Sequence, residues 1–195
     1  MKKHLLILFL LFFSVSCESS NQPRSCKENL YWKNLSEVQK MAVLDSSEID
    51  KYAMSYYQGC FKPSDDSLTL NLLEELTNER ASCHAKAFYF HLFNQICMKA
   101  DGALSEMLGV YCQRIMLNSS VYVLGYFQRN KNVEQIYANL IGYELYFKEE
   151  GTSMIKYNYV DFKSILNKRI GGDKVYEKIL SDFFHLINVA LKNMD

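Results

Sequence analysis

The chain has 195 residues with 22 basic and 22 acidic side chains, hence no net formal charge at neutral pH. It has no Arg- or Lys-rich run, which argues against a nucleic-acid-binding role. Its two prolines and eight glycines are too few to break it often, and hydrophobic residues make up 49%, so long uninterrupted helices around one apolar core are expected.

In chain order, the first element is an export leader. Met1-Lys2-Lys3-His4 is basic, Leu5 to Phe13 is apolar throughout, and Ser14-Val15-Ser16-Cys17 follows as a small-residue region. These are the three parts of an export signal. As a helix, nine residues would span roughly 14 Å, whereas a bilayer core needs about 20 residues, so the run is not a membrane-spanning anchor. The ordinary alternative is a signal peptide cut elsewhere, with Cys17 incidental. Residues 1–17 resemble the N-terminus of bacterial lipoprotein precursors, in which a short lipobox ends in a cysteine. Ser16 and Val15 fit that pattern, and Ser14 stands where leucine is usual. The resemblance implies that Cys17 is acylated on sulfur and becomes the first mature residue. Two or more acyl chains would anchor the protein stably. It implies export to the periplasmic face of a membrane or to the cell surface, with residues 1–16 removed as signal peptide. It covers nothing of the mature domain.

Removal of the leader leaves 20 basic and 22 acidic residues. Residues 17–29 are polar apart from Cys17 and Cys26, include Pro23, and read as a tether. Residues 30–195 are expected to form a single all-α domain of about eight mostly antiparallel helices, arranged as an irregular helix-pair stack. Caps and periodicity place the helices. A short one runs from Ser36 to Val43, and a second starts at Ser46-Ser47-Glu48-Ile49 and reaches Gly59. Pro63-Ser64-Asp65-Asp66 stops one element and starts a leucine-rich one. A long helix runs from Arg80 to Lys99, and Asp101 caps the next, whose stripe is Leu104, Leu108, Tyr111, Cys112 and Ile115. Asn118-Ser119-Ser120 breaks it before a short helix ending near Phe127. Asn132 caps a helix carrying Val133, Ile136, Tyr137, Leu140, Ile141 and Glu144, which ends at Gly151. Residues 152–158 are the weakest helical stretch. Tyr159 to Lys168 is helical, and Asp173 caps a last helix with Val175, Ile179, Phe183, Ile187, Ala190 and Met194 in register.

Five cysteines remain if Cys17 carries lipid: Cys26, Cys60, Cys83, Cys97 and Cys112. An exported protein tends to oxidise them, and an odd count leaves at least one unpaired within the chain. Cys83 and Cys97 lie about 21 Å apart along one helix, too far to bridge. Antiparallel packing would bring Cys60 and Cys97 to one level, so that pair is the expected disulfide. The alternative is that most are small buried hydrophobes. Metal binding has little support. His84 and His91 are seven residues apart, outside the usual helical ligand spacing, and Asp182 with His185 is a single pair where a di-metal bundle needs two Glu-x-x-His motifs. No nucleophile elbow or phosphate loop occurs. Gly171-Gly172-Asp173 reads as the end of one helix and the start of the next. The pairs Asp65-Asp66, Glu74-Glu75 and Glu149-Glu150 sit where caps or polar faces are expected. No catalytic residue, metal or cofactor is therefore assigned.

Tyrosine and phenylalanine number 14 and 12. They either fill the core or form a contact surface. Two clusters are candidates for such a surface: Tyr122, Tyr126 and Phe127, and Tyr137, Tyr143, Tyr146 and Phe147. The functional expectation is a lipid-anchored, non-catalytic helical protein that binds an envelope protein partner, for example as an inhibitor or immunity protein. The alternatives are a structural or assembly lipoprotein of an envelope complex and a cell-wall enzyme of unrecognised type.

Overall fold

A computed structural model describes residues 30–149 and 156–194 of the chain. The leader, Cys17 and the tether lie outside them, as do Gly151 and most of the weak stretch 152–158. The described residues form nine α-helices and one 3-10 turn, with no strand among them. The all-α expectation is met. The helices are α1 (Glu37–Leu44), α2 (Lys51–Tyr57), α3 (Ser67–Leu76), α4 (Cys83–Lys99), α5 (Gly102–Asn118), α6 (Ser120–Phe127), α7 (Lys131–Glu149), α8 (Tyr159–Ile170) and α9 (Lys174–Lys192).

Side-chain caps set most of the helix starts. Ser36 and Gln39 form a reciprocal capping box at α1, which satisfies two backbone donors that a helix start leaves open. Asp66, Ser82, Asn158 and Asp173 cap α3, α4, α8 and α9. The long helix expected from Arg80 begins at Cys83, behind the Ser82 cap, and Asp101 stands at the start of α5 without a side-chain cap bond. Two further starts differ from the sequence reading. The helix expected from Ser46 begins at Lys51, because the Asp50 carboxylate accepts from the Tyr52 and Ala53 amides. The Tyr89 hydroxyl holds the preceding turn, accepting from the Asp50 amide and donating to the Glu48 carbonyl. Likewise α7 begins before Asn132: the Asn130 carbonyl accepts the Val133 and Glu134 amides, while Asn132 is exposed within the helix. Gly59 and Gly172 end their helices with φ of 75° and 98°, the left-handed conformation that only glycine adopts without penalty.

Helix α7 is the centre of the domain, and its most extensive packing is against α5 on one side and α9 on the other. This explains why it buries Val133, Tyr137, Ala138, Ile141 and Leu145 and also the carboxylates Glu134 and Glu144. The α5–α7 crossing is made at Gly109, where an added Cβ would lie 2.3 Å from the Leu140 carbonyl oxygen. The α7–α9 crossing is made at Gly142, where a Cβ would meet that of Ala190 at 2.9 Å. The α9 stripe is buried from Ile179 to Ala190, whereas Val175, at the first turn, is exposed. Helix α4 covers the other end of the core with Phe88, Tyr89, Phe90, Leu92, Phe93 and Ile96.

The first described residues are fastened to the helices. The Tyr31 hydroxyl donates to the Tyr122 carbonyl, and the Tyr122 hydroxyl donates to the Leu30 carbonyl. Trp32 packs on Phe88 with ring centroids 4.8 Å apart. Among the described residues no helix is long and apolar enough to cross a membrane.

Candidate functional site

The structure divides the expected aromatic contact residues. Phe127 and Tyr137 are fully buried and pack edge-to-face on each other, so they are core and not surface. The Tyr137 hydroxyl donates to Asn94 Oδ1 at 2.8 Å inside that core. Tyr122 and Tyr126 are half-buried and enclose Tyr31 together with Phe90. Their partners are Leu30 and Tyr31 of the same chain. Burial pushes the Tyr122 hydroxyl well above its usual range, and the neighbouring Tyr31 and Tyr126 push it further. Tyr143, Tyr146 and Phe147 are half-buried near the end of α7 and stack on one another. Of the seven, these three alone keep the surface position expected of them without serving the N-terminal clamp.

The cysteines also depart from expectation. Cys60 is an exposed free thiol and Cys97 a buried one, so the expected Cys60–Cys97 disulfide is absent. Antiparallel level alone did not bring the two together: Cys60 follows the last turn of α2 at the surface, whereas Cys97 points into the core. Cys97 Sγ is 4.0 Å from Cys112 Sγ, and burial followed by that neighbour raises the Cys112 thiol well above its usual range. Cys83, the first residue of α4, is disulfide-bonded.

A groove of about 280 Å³ lies between α1 and the start of α4. Gln39, Ala42, Val43, Ser46 and Glu48 line one wall, and Ser82, His84 and Ala85 line the other. Several of its polar atoms already serve the backbone. Gln39 completes the α1 capping box, Ser46 Oγ accepts the Glu48 amide, and Ser82 Oγ accepts the Ala85 amide. His84 and Glu48 supply its ionisable groups. On the outer side of α1, Val38 and Met41 are 80% and 56% exposed. They are large apolar side chains three residues apart on one face, which an isolated fold gains nothing by presenting to water.

Five further titratable groups have structural partners. Glu74 forms an ion pair with Arg114 and accepts from Tyr111. The Arg114 hydrogen bond holds its carboxyl below the usual range, while burial and then Glu74 push Tyr111 up to about 12. Asp66 and Asp173 are caps. Glu134 is 2% exposed and pairs with Lys131 at 2.6 Å, and burial raises its carboxyl above the usual range. His91 stacks on Trp32, and its Nε2 lies 3.1 Å from Gln95 Nε2. Burial first and Lys40 second hold the imidazole below its ordinary value. Among the described residues no group of three or more His, Cys, Asp or Glu is placed to hold a metal. No protein-family model matches the chain, and neither does a curated protein or a solved structure.

Proposed function

We propose that the chain is an exported lipoprotein, anchored through Cys17, whose helical domain binds a protein partner in the cell envelope without catalysing a reaction. The observation that carries the reading is the N-terminal run Leu5–Phe13 closed by Ser14-Val15-Ser16-Cys17. It is too short to span a bilayer and ends on the one residue type that can take up lipid through sulfur. The clamp on Leu30 and Tyr31 supports it, because Leu30, held by the Tyr122 hydroxyl, is 13 residues after Cys17 and the intervening sequence is mostly polar.

The outer face of α1 is the contact surface favoured by exposure. Val38 and Met41 are the two most exposed large hydrophobic side chains on one helix turn, beside a groove that a partner's side chain can enter. Exposed apolar patches with polar rims mark interaction surfaces in this way. The patch carrying Tyr143, Tyr146 and Phe147 is the second surface to probe. An inhibitor or immunity protein acting on an envelope toxin or hydrolase is the concrete form of this reading.

The test is a gentle-detergent pull-down of the tagged protein from membranes, with partners and the N-terminal peptide identified by mass spectrometry. A diacylglyceryl mass on Cys17 and a stoichiometric protein partner are expected. The double variant Val38→Glu, Met41→Glu should keep its melting temperature and lose at least about tenfold in partner affinity, as removal of a central contact does. An unmodified Cys17 inside a longer N-terminal peptide overturns the anchor. Undiminished binding by the double variant overturns the α1 surface.

A further inference from the structure

We infer that Cys97 and Cys112 are a redox-active dithiol that closes to a disulfide joining the last turn of α4 to the middle of α5. Both are buried free thiols in the structure. Their sulfurs lie 4.0 Å apart, in contact and with no room for another atom between them. A disulfide bond is about 2.05 Å long, so each sulfur has to move by about 1 Å, which a turn about its Cα–Cβ bond supplies. Cys60 is a free thiol at the surface, away from the pair. Neither partner is Cys17, so the inference is independent of the lipid anchor proposed above.

The two thiols differ, and the difference sets the order of reaction. Cys97 is 5% exposed and Cys112 0%. Only Met98 and Lys99 follow Cys97 in α4, and Met98 is 46% exposed. The Ala100 amide closes this turn by donating to the Ile96 carbonyl. A terminal turn opens at far lower cost than the whole fold, so fraying here uncovers Cys97. Cys112 is the eleventh of the 17 residues of α5 and has no such route to water. Burial first and Cys97 second raise its thiol well above the usual range. The thiolate is the attacking species, so Cys112 is the poorer first nucleophile.

The oxidant is a low-molecular-weight disulfide, for which oxidised glutathione is the probe. The Cys97 thiolate attacks one of its sulfurs, the oxidant's S–S bond breaks, and one glutathione thiolate leaves a mixed disulfide on Cys97. Cys112 then gives up its proton to the solvent admitted by the open turn. Its sulfur attacks Cys97 Sγ and expels the second glutathione thiolate. Two protein thiols are oxidised to one disulfide, one glutathione disulfide is reduced, and the two thiol protons end on two glutathione thiols. The closed bond fastens the last turn of α4 to α5 and stops the fraying that admitted the oxidant, and reduction releases it.

The test is a peptide map of the folded full-length protein after incubation with oxidised glutathione, alkylation with N-ethylmaleimide in denaturant, and tryptic digestion without reduction. Cleavage after Lys86, Lys99 and Arg114 gives peptide 87–99 with Cys97 and peptide 100–114 with Cys112, while Cys60 falls in peptide 52–80. Peptides 87–99 and 100–114 should appear joined, lighter than their sum by two hydrogens. Cys112→Ala removes the resolving thiol, so glutathione should stay on Cys97 at a level at least about tenfold above the wild type, where closure is intramolecular. Cys97→Ala should leave Cys112 without glutathione. Alkylated Cys97 and Cys112 in a wild-type sample whose Cys60 carries glutathione overturns the inference, and so does either sulfur joined to another cysteine of the chain. The wild-type map reads this without any variant. Glutathione on Cys112 in Cys97→Ala overturns the order of attack.

Discussion

At the crossing of α5 and α7 a single missing methyl decides the packing. A Cβ on Gly109 would meet the Leu140 carbonyl oxygen and the Glu144 side chain, each at 2.3 Å. One of those neighbours is backbone, which cannot rotate away. Gly109→Ala should therefore separate the two helices and cost about 3 kcal/mol or more, at or above the upper end for overpacking, measured by urea denaturation. The same scale holds the chain's clearest pH response. His91 is held below its ordinary value by burial and by Lys40, so the unfolded chain binds a proton more readily than the folded one. Stability from this group is present above the unfolded value and is lost as pH falls through the folded one. A proton on Nε2 would also end that nitrogen's role as acceptor from Gln95. Melting temperatures should fall between pH 7.5 and pH 5, and His91→Gln should flatten that fall. An unchanged slope in the variant would remove His91 from the account.

Among the elements, caps and stripes act together. The Asp173 carboxylate accepts from two amides at the start of α9, and the helix then buries Phe183, Phe184 and Ile187 against α7, α6 and α8. Asp173→Ala should lower stability by about 1 kcal/mol, which in a chain of this length is a drop in melting temperature of about 2–4 °C. Calorimetry of the variant checks it, and no shift would mean that tertiary packing alone fixes the helix start. Asp173, read from the sequence as a cap, is a cap in the structure, and the starts read at Ser36 and Asp66 are capped by those residues, because a side chain that satisfies its own helix start needs no distant partner. Asp101, also read as a cap, makes no side-chain cap bond. The starts at Ser46 and Asn132 were misread because competing polar residues stood four or two positions away. Tyr89, 39 residues distant, settles the first of these by bonding Asp50 and Glu48. Nothing local in the sequence announces that hydroxyl.

For the whole molecule, α7 ties the two sides of the core together, and Trp32 fastens the start of the domain to α4. Unfolding should therefore be one cooperative event. The single tryptophan is 5% exposed, so its fluorescence reports the N-terminal clamp while circular dichroism reports the helices as a whole. The two transitions should coincide in urea. An earlier fluorescence transition would show that the clamp opens by itself.

The sequence alone determined the helices, their class and most of their ends, because these follow from the spacing of apolar side chains and from caps that act within a few residues. The pattern on which the proposed leader rests is likewise read as a string and needs no fold. Which aromatics face water was decided by tertiary structure. Tyr137 and Tyr143 belong to one helix six residues apart, yet the first is sealed between neighbouring helices and the second is half-exposed near the end of α7. Cysteine pairing was decided the same way. A thiol's partner depends on where two distant backbones meet, and helical periodicity gives only the face on which each one waits.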